Sequence, residues 1–255
     1  MQFQKNINIW NDTIKKCSII PKPPKSIKYN LLTLNITPKF KNTHISIQNI
    51  DSINCALILQ KNGLNPVTLN MADNNFPGGQ VHLGSSAQEE SLFRRSNYFQ
   101  TLNLETNFYP LKNEELIYSP QVTIIKDKCG NDLQQYYNLS FIACPGIKKP
   151  NLENNHFTQN DKILFINKIK NILNTAYIHN HDSIVLSALG CGAWECPPEE
   201  VALLFKETIN EYKNAFKCII FAILDVDKNN YIVKNNNLNN SNFQIFSKIF
   251  NQSTL

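Results

Sequence analysis

Apolar positions along this chain fall into short blocks whose period switches between two and 3.6 residues. Residues 44–49 (HISIQN) and the near-continuous run 66–72 (PVTLNMA) read as strands, the second buried on both faces. Between them Asp51 is placed to cap a helix that runs through Gln60 and ends at Gly63. A glycine-bearing loop follows at 77–84, then a helix from about Ser86 to Leu102. Tyr118–Lys126 and Ser140–Cys144 are rich in β-formers, whereas Ile163, Ile166, Ile169, Ile172 and Leu173 give 162–177 helical spacing. A strand over 183–189, a glycine turn, a helix over 197–212 with proline in its first turn, and a strand over 217–225 come next. The Asn-rich stretch 229–242 reads as a loop and 243–250 as a terminal helix.

Strands alternating with helices predict an α/β fold with a mainly parallel sheet covered on both faces. Ligand sites in such sheets lie beyond the carboxyl ends of the strands. Two glycine-rich segments, 77–84 and 190–193, fall there and are expected to meet at one site. Residues 1–42, broken by Pro21, Pro23 and Pro24, read as a lead-in of short helix plus extended segment packing on the core. Residues 43–255 are expected to form one domain, since 255 residues leave little room for a second independent core.

Composition narrows the class only modestly. A net charge of +5 favours anionic partners without the dense basic runs of a nucleic-acid arm, so nucleic acid is not required. The seven cysteines are odd in number and scattered; Cys55, Cys144 and Cys218 sit in apolar runs as reduced thiols do. That usage fits an intracellular location, cytoplasm or nucleus. The first residues lack an apolar signal core, although a non-classical secretion signal would escape notice, and no run reaches the ~20 apolar residues of a membrane span.

The densest chemistry lies in 70–102, NMADNNFPGGQVHLGSSAQEESLFRRSNYFQTL. Gly78 and Gly79 either make a tight turn or present N–H groups to an anion beside the next helix N-terminus. No Gly-Lys-Ser/Thr follows, and the glycine spacing of a dinucleotide fingerprint is absent. Ser86 and Glu89 have the spacing of a capping box, and acidic residues in a first turn suit the helix dipole. Against that reading, two carboxylates directly after a glycine loop suggest an acid beside a held anion. Glu89 and Glu90 point about 100° apart on a helix, so they take different roles.

The second loop, Leu189–Pro198, also follows a strand and precedes a helix. Cys191 and Cys196 lack zinc-knuckle spacing and a partner pair, and no particular His is placed beside Cys191 to make it a nucleophile. Trp194 is either a core residue or a ring that covers a ribose or base. His82 reads as an exposed loop residue, and His179 and His181 as flanking a solvent-facing connection. Asp225 and Asp227 read as turn formers, with Mg²⁺ as the alternative. Arg94, four residues after Glu90, is spaced either to pair with it and shift its acidity or to form a plain surface salt bridge.

Two motif regions resemble the bacterial-type poly(ADP-ribose) glycohydrolases, a branch of the macrodomains. The first comprises Asn70-Met71-Ala72, Pro77-Gly78-Gly79, Ala87-Gln88-Glu89-Glu90, Leu92, Arg94-Arg95-Ser96 and Tyr98. Tyr118-Ser119-Pro120-Gln121-Val122 is similar to the family's middle strand. The second is Ala188-Leu189-Gly190-Cys191-Gly192-Ala193-Trp194 with Pro198 and Glu200-Val201-Ala202. The resemblance implies a macrodomain-like three-layer α/β/α sandwich with a mixed, mainly parallel sheet. It implies ADP-ribose, poly(ADP-ribose) or ADP-ribosylated protein as ligand, with neither cofactor nor metal, and Glu90 as catalytic acid with Glu89 on the distal ribose. Asn70, Gly78, Gly79, Gln80, Val81, Gln88, Gly190, Cys191, Gly192, Ala193 and Trp194 would line the substrate site. Gln80 stands where the family generally has a third glycine, Phe93 replaces a common Cys, and Trp194 stands where Phe is usual.

The activity expected is release of ADP-ribose from the polymer or from ADP-ribosylated targets. Its rivals are a mono-ADP-ribosyl hydrolase acting on a protein side chain such as arginine or on a nucleic-acid base, and a non-catalytic ADP-ribose reader. The oligomeric state is not readable from the sequence.

Overall fold

The computed structural model describes residues 2–102, 107–225 and 241–251. In chain order its first elements are α1 (Gln2–Cys17), β1 (Ile27–Tyr29), β2 (His44–Gln48), α2 (Ser52–Lys61), β3 (Pro66–Met71), α3 (Gln88–Arg94), β4 (Leu116–Lys126) and β5 (Asp132–Cys144). The remainder are β6 (Leu152–Glu153), β7 (His156–Phe157), α4 (Gln159–Ile178), β8 (Ser183–Leu186), α5 (Pro198–Asn210), β9 (Cys218–Ala222) and α6 (Asn242–Asn251). The chain divides into two compact units, 1–31 with 67–145 and 32–66 with 146–255.

In the first unit the strand order is β1-β4-β5-β3. β1 and β5 both run antiparallel to β4, and β3 runs parallel to β5 with Asn70 opposite Ala143. Val67, Thr68, Leu69 and Asn70 are all buried, which explains why this strand reads as an unbroken apolar run. Tyr98 stacks on Phe141 with ring centroids 5.0 Å apart and touches Phe93, which continues to Trp10 of α1. Such aromatic contacts bury large apolar area and fix how a helix meets a sheet.

In the second unit β8, β9 and β2 form a parallel set, with β9 in the middle. β9 is buried along its whole length. Phe205, Phe246 and Phe250 converge on Phe221 from α5 and α6, and Phe165 of α4 meets Phe205. Asp51 caps α2 by accepting from the Asn54 N–H, and Thr158 caps α4 by accepting from that of Asp161. No helix among the described residues is long and apolar enough to cross a membrane.

Most element positions match the periodicity, and the departures have local causes. The helix expected over 86–102 is only Gln88–Arg94. Beyond Arg95 the backbone turns, Ser96 bridges to Ile124, and a 3₁₀ turn holds Tyr98–Gln100. Sheet pairing has overridden helical propensity there. β5 starts at Asp132 rather than Ser140, because its polar first half pairs with β4 on a partly exposed face. The Asn-rich stretch lies almost wholly in 226–240, outside the described residues; the terminal helix is α6.

Candidate active site

The site is built where β3 ends and α3 begins. Asp73 opens the intervening loop with an Asx turn, its Oδ1 accepting from the N–H groups of Asn75 (2.7 Å) and Phe76 (3.0 Å). The chain then folds back so that backbone N–H groups face the first turn of α3. Glu89 receives three of its donors there: Asn70 Nδ2 at 3.3 Å and Gly78 N at 3.1 Å on Oε1, and Asp73 N at 2.7 Å on Oε2. Glu90 accepts from Gln80 N at 3.1 Å through Oε1, while its Oε2 is buried with no hydrogen-bond partner among the described residues. Both carboxylates are more than nine-tenths buried.

This replaces the capping box read from the sequence. The N-cap is Ala87, without a side-chain cap, and Glu89 reaches the glycine loop instead of a neighbouring backbone N–H of its own helix. Gln88 secures the helix start differently. Its Nε2 donates to Leu69 O (2.7 Å) and its Oε1 accepts from Met71 N (2.8 Å), so the amide pairs with the end of β3 like a strand neighbour. Through Gln88 the first turn of α3 is registered against the strand that carries Asn70.

Gly78 and Gly79 have φ of 77° and 52°, a region where L side chains are strained. Space excludes a side chain as well. A Cβ on Gly78 would lie 2.4 Å from Phe93 Cδ1, and one on Gly79 would lie 2.6 Å from Glu90 Oε1 and 3.4 Å from Glu89 Oε2. Gln80, by contrast, has φ of −103° and is exposed, so its backbone makes no demand for glycine. Val81 is buried and opens the 3₁₀ turn Val81–Leu83 that leads away from the acids.

Burial pushes the Glu89 carboxyl up to about 8. The donors from Asp73, Asn70 and Gly78 oppose that rise, while the neighbouring charge of Glu90 adds to it. The site can therefore hold a proton near neutral pH within a cradle of fixed N–H donors. Sequence reading missed two contributors. Asp73 builds the turn and donates its own N–H. Tyr109 has a buried hydroxyl without a partner among the described residues, and burial together with the charge of Glu89 pushes its pKa well up. An Asx-turn residue two positions past a strand was a usable signal for Asp73; nothing around Tyr109 marked it.

The second loop lies in the other unit. Gly190 (φ 76°) is packed so closely that a Cβ would sit 2.5 Å from Cys196 Sγ, and a Cβ on Gly146 would sit 2.9 Å from the Gly190 Cα. Gly192 has open space around it, and Gly192 and Ala193 are exposed. Trp194 is half-buried beside Gly146, with its carbonyl accepting from Lys149 N at 3.0 Å. It is thus neither a full core residue nor a free ring. Burial drives the Cys191 thiol far above its ordinary range and that of Cys196 to about 11, so neither is an activated nucleophile.

Other sequence candidates are placed differently from expectation. His181 does not face solvent: it is buried, Nδ1 lies 3.1 Å from Asn65 O, and desolvation pushes its pKa down to about 4. Arg94 is also buried, and its guanidinium donates to the Ser85 carbonyl rather than sitting at the surface. His82 is exposed. Asp225 accepts from Ser241 Oγ at 2.8 Å, and Asp227 lies outside the described residues. Among the described residues no group of three or more His, Cys, Asp or Glu side chains is arranged to hold a metal.

The first motif region thus folds into a glycine loop whose N–H groups engage two consecutive buried carboxylates at a strand-to-helix junction. Residues 15–127 match the model of the microbial-type PARG catalytic domain. Among solved structures, poly(ADP-ribose) glycohydrolase from Thermomonospora curvata superposes with a TM-score of 0.80 at 21% identity, covering 97% of this chain and 100% of that one. The same enzyme bound to the inhibitor ADP-HPD gives 0.80 at 22% identity, covering 96% and 99%. The Deinococcus radiodurans enzyme in complex with ADP-ribose gives 0.71 at 20% identity, covering 98% and 92%. These likenesses bear out the α/β macrodomain-like fold. No curated protein sequence matches the chain.

Proposed function

We propose that this protein is a poly(ADP-ribose) glycohydrolase that releases ADP-ribose, with Glu90 as the group that protonates the departing oxygen. The observation that carries the reading is the buried Oε2 of Glu90, without a partner among the described residues, beside a carboxylate whose two oxygens are held by three donors. Rupture of a ribosyl C1″–O bond passes through an oxocarbenium-like state and needs a proton on the leaving group and a water at the anomeric carbon. Oε2 is free to deliver that proton. Glu89, fixed by Asn70, Gly78 and Asp73, is suited to hold the hydroxyls of the distal ribose. The substrate's own diphosphate can orient the water, so no second enzymatic base is needed.

In this reading Gly78, Gly79, Gln80, Val81 and Asn70 surround the distal ribose and diphosphate. Gly190, Cys191, Gly192, Ala193 and Trp194 of the second unit are assigned to substrate binding by the family resemblance alone. The similar enzymes from Thermomonospora curvata and Deinococcus radiodurans bind ADP-HPD and ADP-ribose, which supports ADP-ribose as the ligand class.

One observation favours a second assignment. Glu89 is the carboxyl that burial raises toward neutrality, and a general acid works best with a pKa near the working pH. Geometry weighs more, because both Glu89 oxygens already accept hydrogen bonds whereas the Glu90 Oε2 accepts none among the described residues. The two assignments separate when Glu89→Gln and Glu90→Gln are compared side by side. The function itself is tested by product analysis with poly(ADP-ribose) and with mono-ADP-ribosylated protein. ADP-ribose released from polymer supports it, release only from mono-modified protein points to a mono-ADP-ribosyl hydrolase, and binding without release points to a reader.

A further inference from the structure

Helix α1 grips the acid-bearing segment on both sides of Glu89 and Glu90. Upstream, Asn6 is 5% exposed and its Nδ2 donates to the Gly84 carbonyl at 2.8 Å. Gln2 Nε2 donates to the Asn6 Oδ1 at 2.9 Å, which fixes the orientation of that amide. Gly84, at φ 82°, lies so close that a Cβ would be 2.4 Å from the Phe3 carbonyl oxygen. Downstream, Thr13 is fully buried and its Oγ1 donates to the Arg94 carbonyl at 2.5 Å, at the last residue of α3. The Arg94 guanidinium closes the circuit by donating to the Ser85 carbonyl. Between the two grips Trp10 faces Phe93, the ring that backs Gly78.

The helix has a fixed base. Lys126, 2% exposed on β4, lies 2.5 Å from Asp12 Oδ2 and 2.7 Å from Asp132 Oδ1, and Lys16 joins both carboxylates. A helix that merely covered apolar surface would place apolar residues on its buried face. Here Asn6 and Thr13, seven residues apart on one face and both poor helix formers, are buried and spend their polar groups on carbonyls flanking the acids. Asn6, Trp10 and Thr13 all precede residue 15, where the match to the family model begins.

We propose that α1 is a brace for the acid loop and that Asn6 and Thr13 are positioning residues for Glu90, acting through Gly84 and Arg94. The 3.1 Å bond from Gln80 N to Glu90 Oε1 depends on where the 80–85 segment sits. Release of either grip lets that segment and the first turn of α3 drift relative to each other. A misplacement of about 1 Å at a reacting group can cost roughly 10²-fold in rate. The catalytic part of this inference rests on the glycohydrolase reading; the mechanical part does not.

The test uses the full chain with Thr13→Val, which keeps shape but loses the hydroxyl, Thr13→Ser, which restores it, and Asn6→Asp, which loses the amide donor. Turnover per folded molecule and amide hydrogen exchange are read together. The expected result is a kcat loss of roughly tenfold or more in Thr13→Val and Asn6→Asp with KM nearly unchanged, and recovery in Thr13→Ser. Exchange at Gly79 and Gln80 should speed up while the amides of β4 and β5 stay protected. Variants that lose only Tm, with kcat per folded molecule and loop exchange as in wild type, would overturn the brace. If no variant folds, wild-type exchange decides: α1 and 78–85 should open in one step, and independent opening refutes the proposal. A wild type that releases no ADP-ribose sinks the glycohydrolase reading, whereas the exchange result still judges the brace.

Discussion

Gly79 and Glu90 are packed so closely that a Cβ on Gly79 would stand 2.6 Å from the Glu90 Oε1. The glycine therefore serves the acid as much as the turn. At φ 52°, alanine there would also carry backbone strain of roughly 1–2 kcal/mol. Gly79→Ala should push the Glu90 carboxylate off its bond to Gln80 N and lower kcat by about tenfold or more, with Tm falling by a few degrees. A steady-state assay beside thermal unfolding checks this. Loss of Tm with kcat intact would show that the contact is not catalytic.

Glu90→Gln keeps the shape of the side chain and removes its proton. Turnover should fall by about 10²–10⁴-fold, the usual cost of losing a general acid. ADP-ribose affinity should stay within about tenfold, or 1.4 kcal/mol, because the donors that cradle Glu89 are untouched. Glu89→Gln should give a smaller rate loss with weaker binding, since an amide NH₂ cannot accept from Asp73 N or Gly78 N. Calorimetry and a release assay on both variants decide the matter. If Glu89→Gln alone abolished turnover while ADP-ribose still bound, the roles would be exchanged.

How much of this was legible in the sequence differs from element to element. The helix cap at Asp51, the buried β3 and the run of isoleucines in α4 follow from period and capping chemistry that act locally. The end of α3 was not legible, because Ser96 is drawn into a bridge with Ile124 by tertiary pairing that no window around residue 96 contains. Within the site, the glycine pair and the two carboxylates were visible as a pattern. The direction of Glu89 was not: Ser86 offers the same spacing as a real capping box, and only the fold-back of 73–80 supplies better donors. His181 was misread for a related reason. A polar residue between two elements reads as solvated, yet its imidazole is buried against the Asn65 carbonyl.

The raised pKa of Glu89 makes a stability prediction with a definite sign. Its folded value, about 8, lies above the ordinary carboxylate value of 4.5, so the folded state binds the extra proton between those limits. The resulting stabilisation is fully present below about pH 4.5 and is lost as pH rises to about 8. Glu89→Gln removes this titration. The difference in Tm between wild type and Glu89→Gln should therefore move in favour of the variant as pH is raised from 5 to 8.5. A difference that stays constant across that range would mean Glu89 is ionised throughout, held by its three donors.

Gln80 is where this chain parts from the pattern it resembles, and the backbone explains why it can. At φ −103° and ψ 36° the position suits any L residue, and the side chain is exposed while its N–H still serves Glu90. Gln80 therefore leaves the path of the loop unchanged. In the proposed reading a side chain at that point narrows the pocket beyond the distal ribose and alters which acceptor is accepted. Gln80→Gly should raise cleavage of poly(ADP-ribose) relative to release from mono-ADP-ribosylated protein. The added chain entropy of glycine should cost about 0.5–1 kcal/mol of stability. The ratio of the two rates, measured on the same preparations, isolates selectivity from that stability loss. An unchanged ratio would show that Gln80 points away from the acceptor and that its place in the loop is neutral for substrate choice.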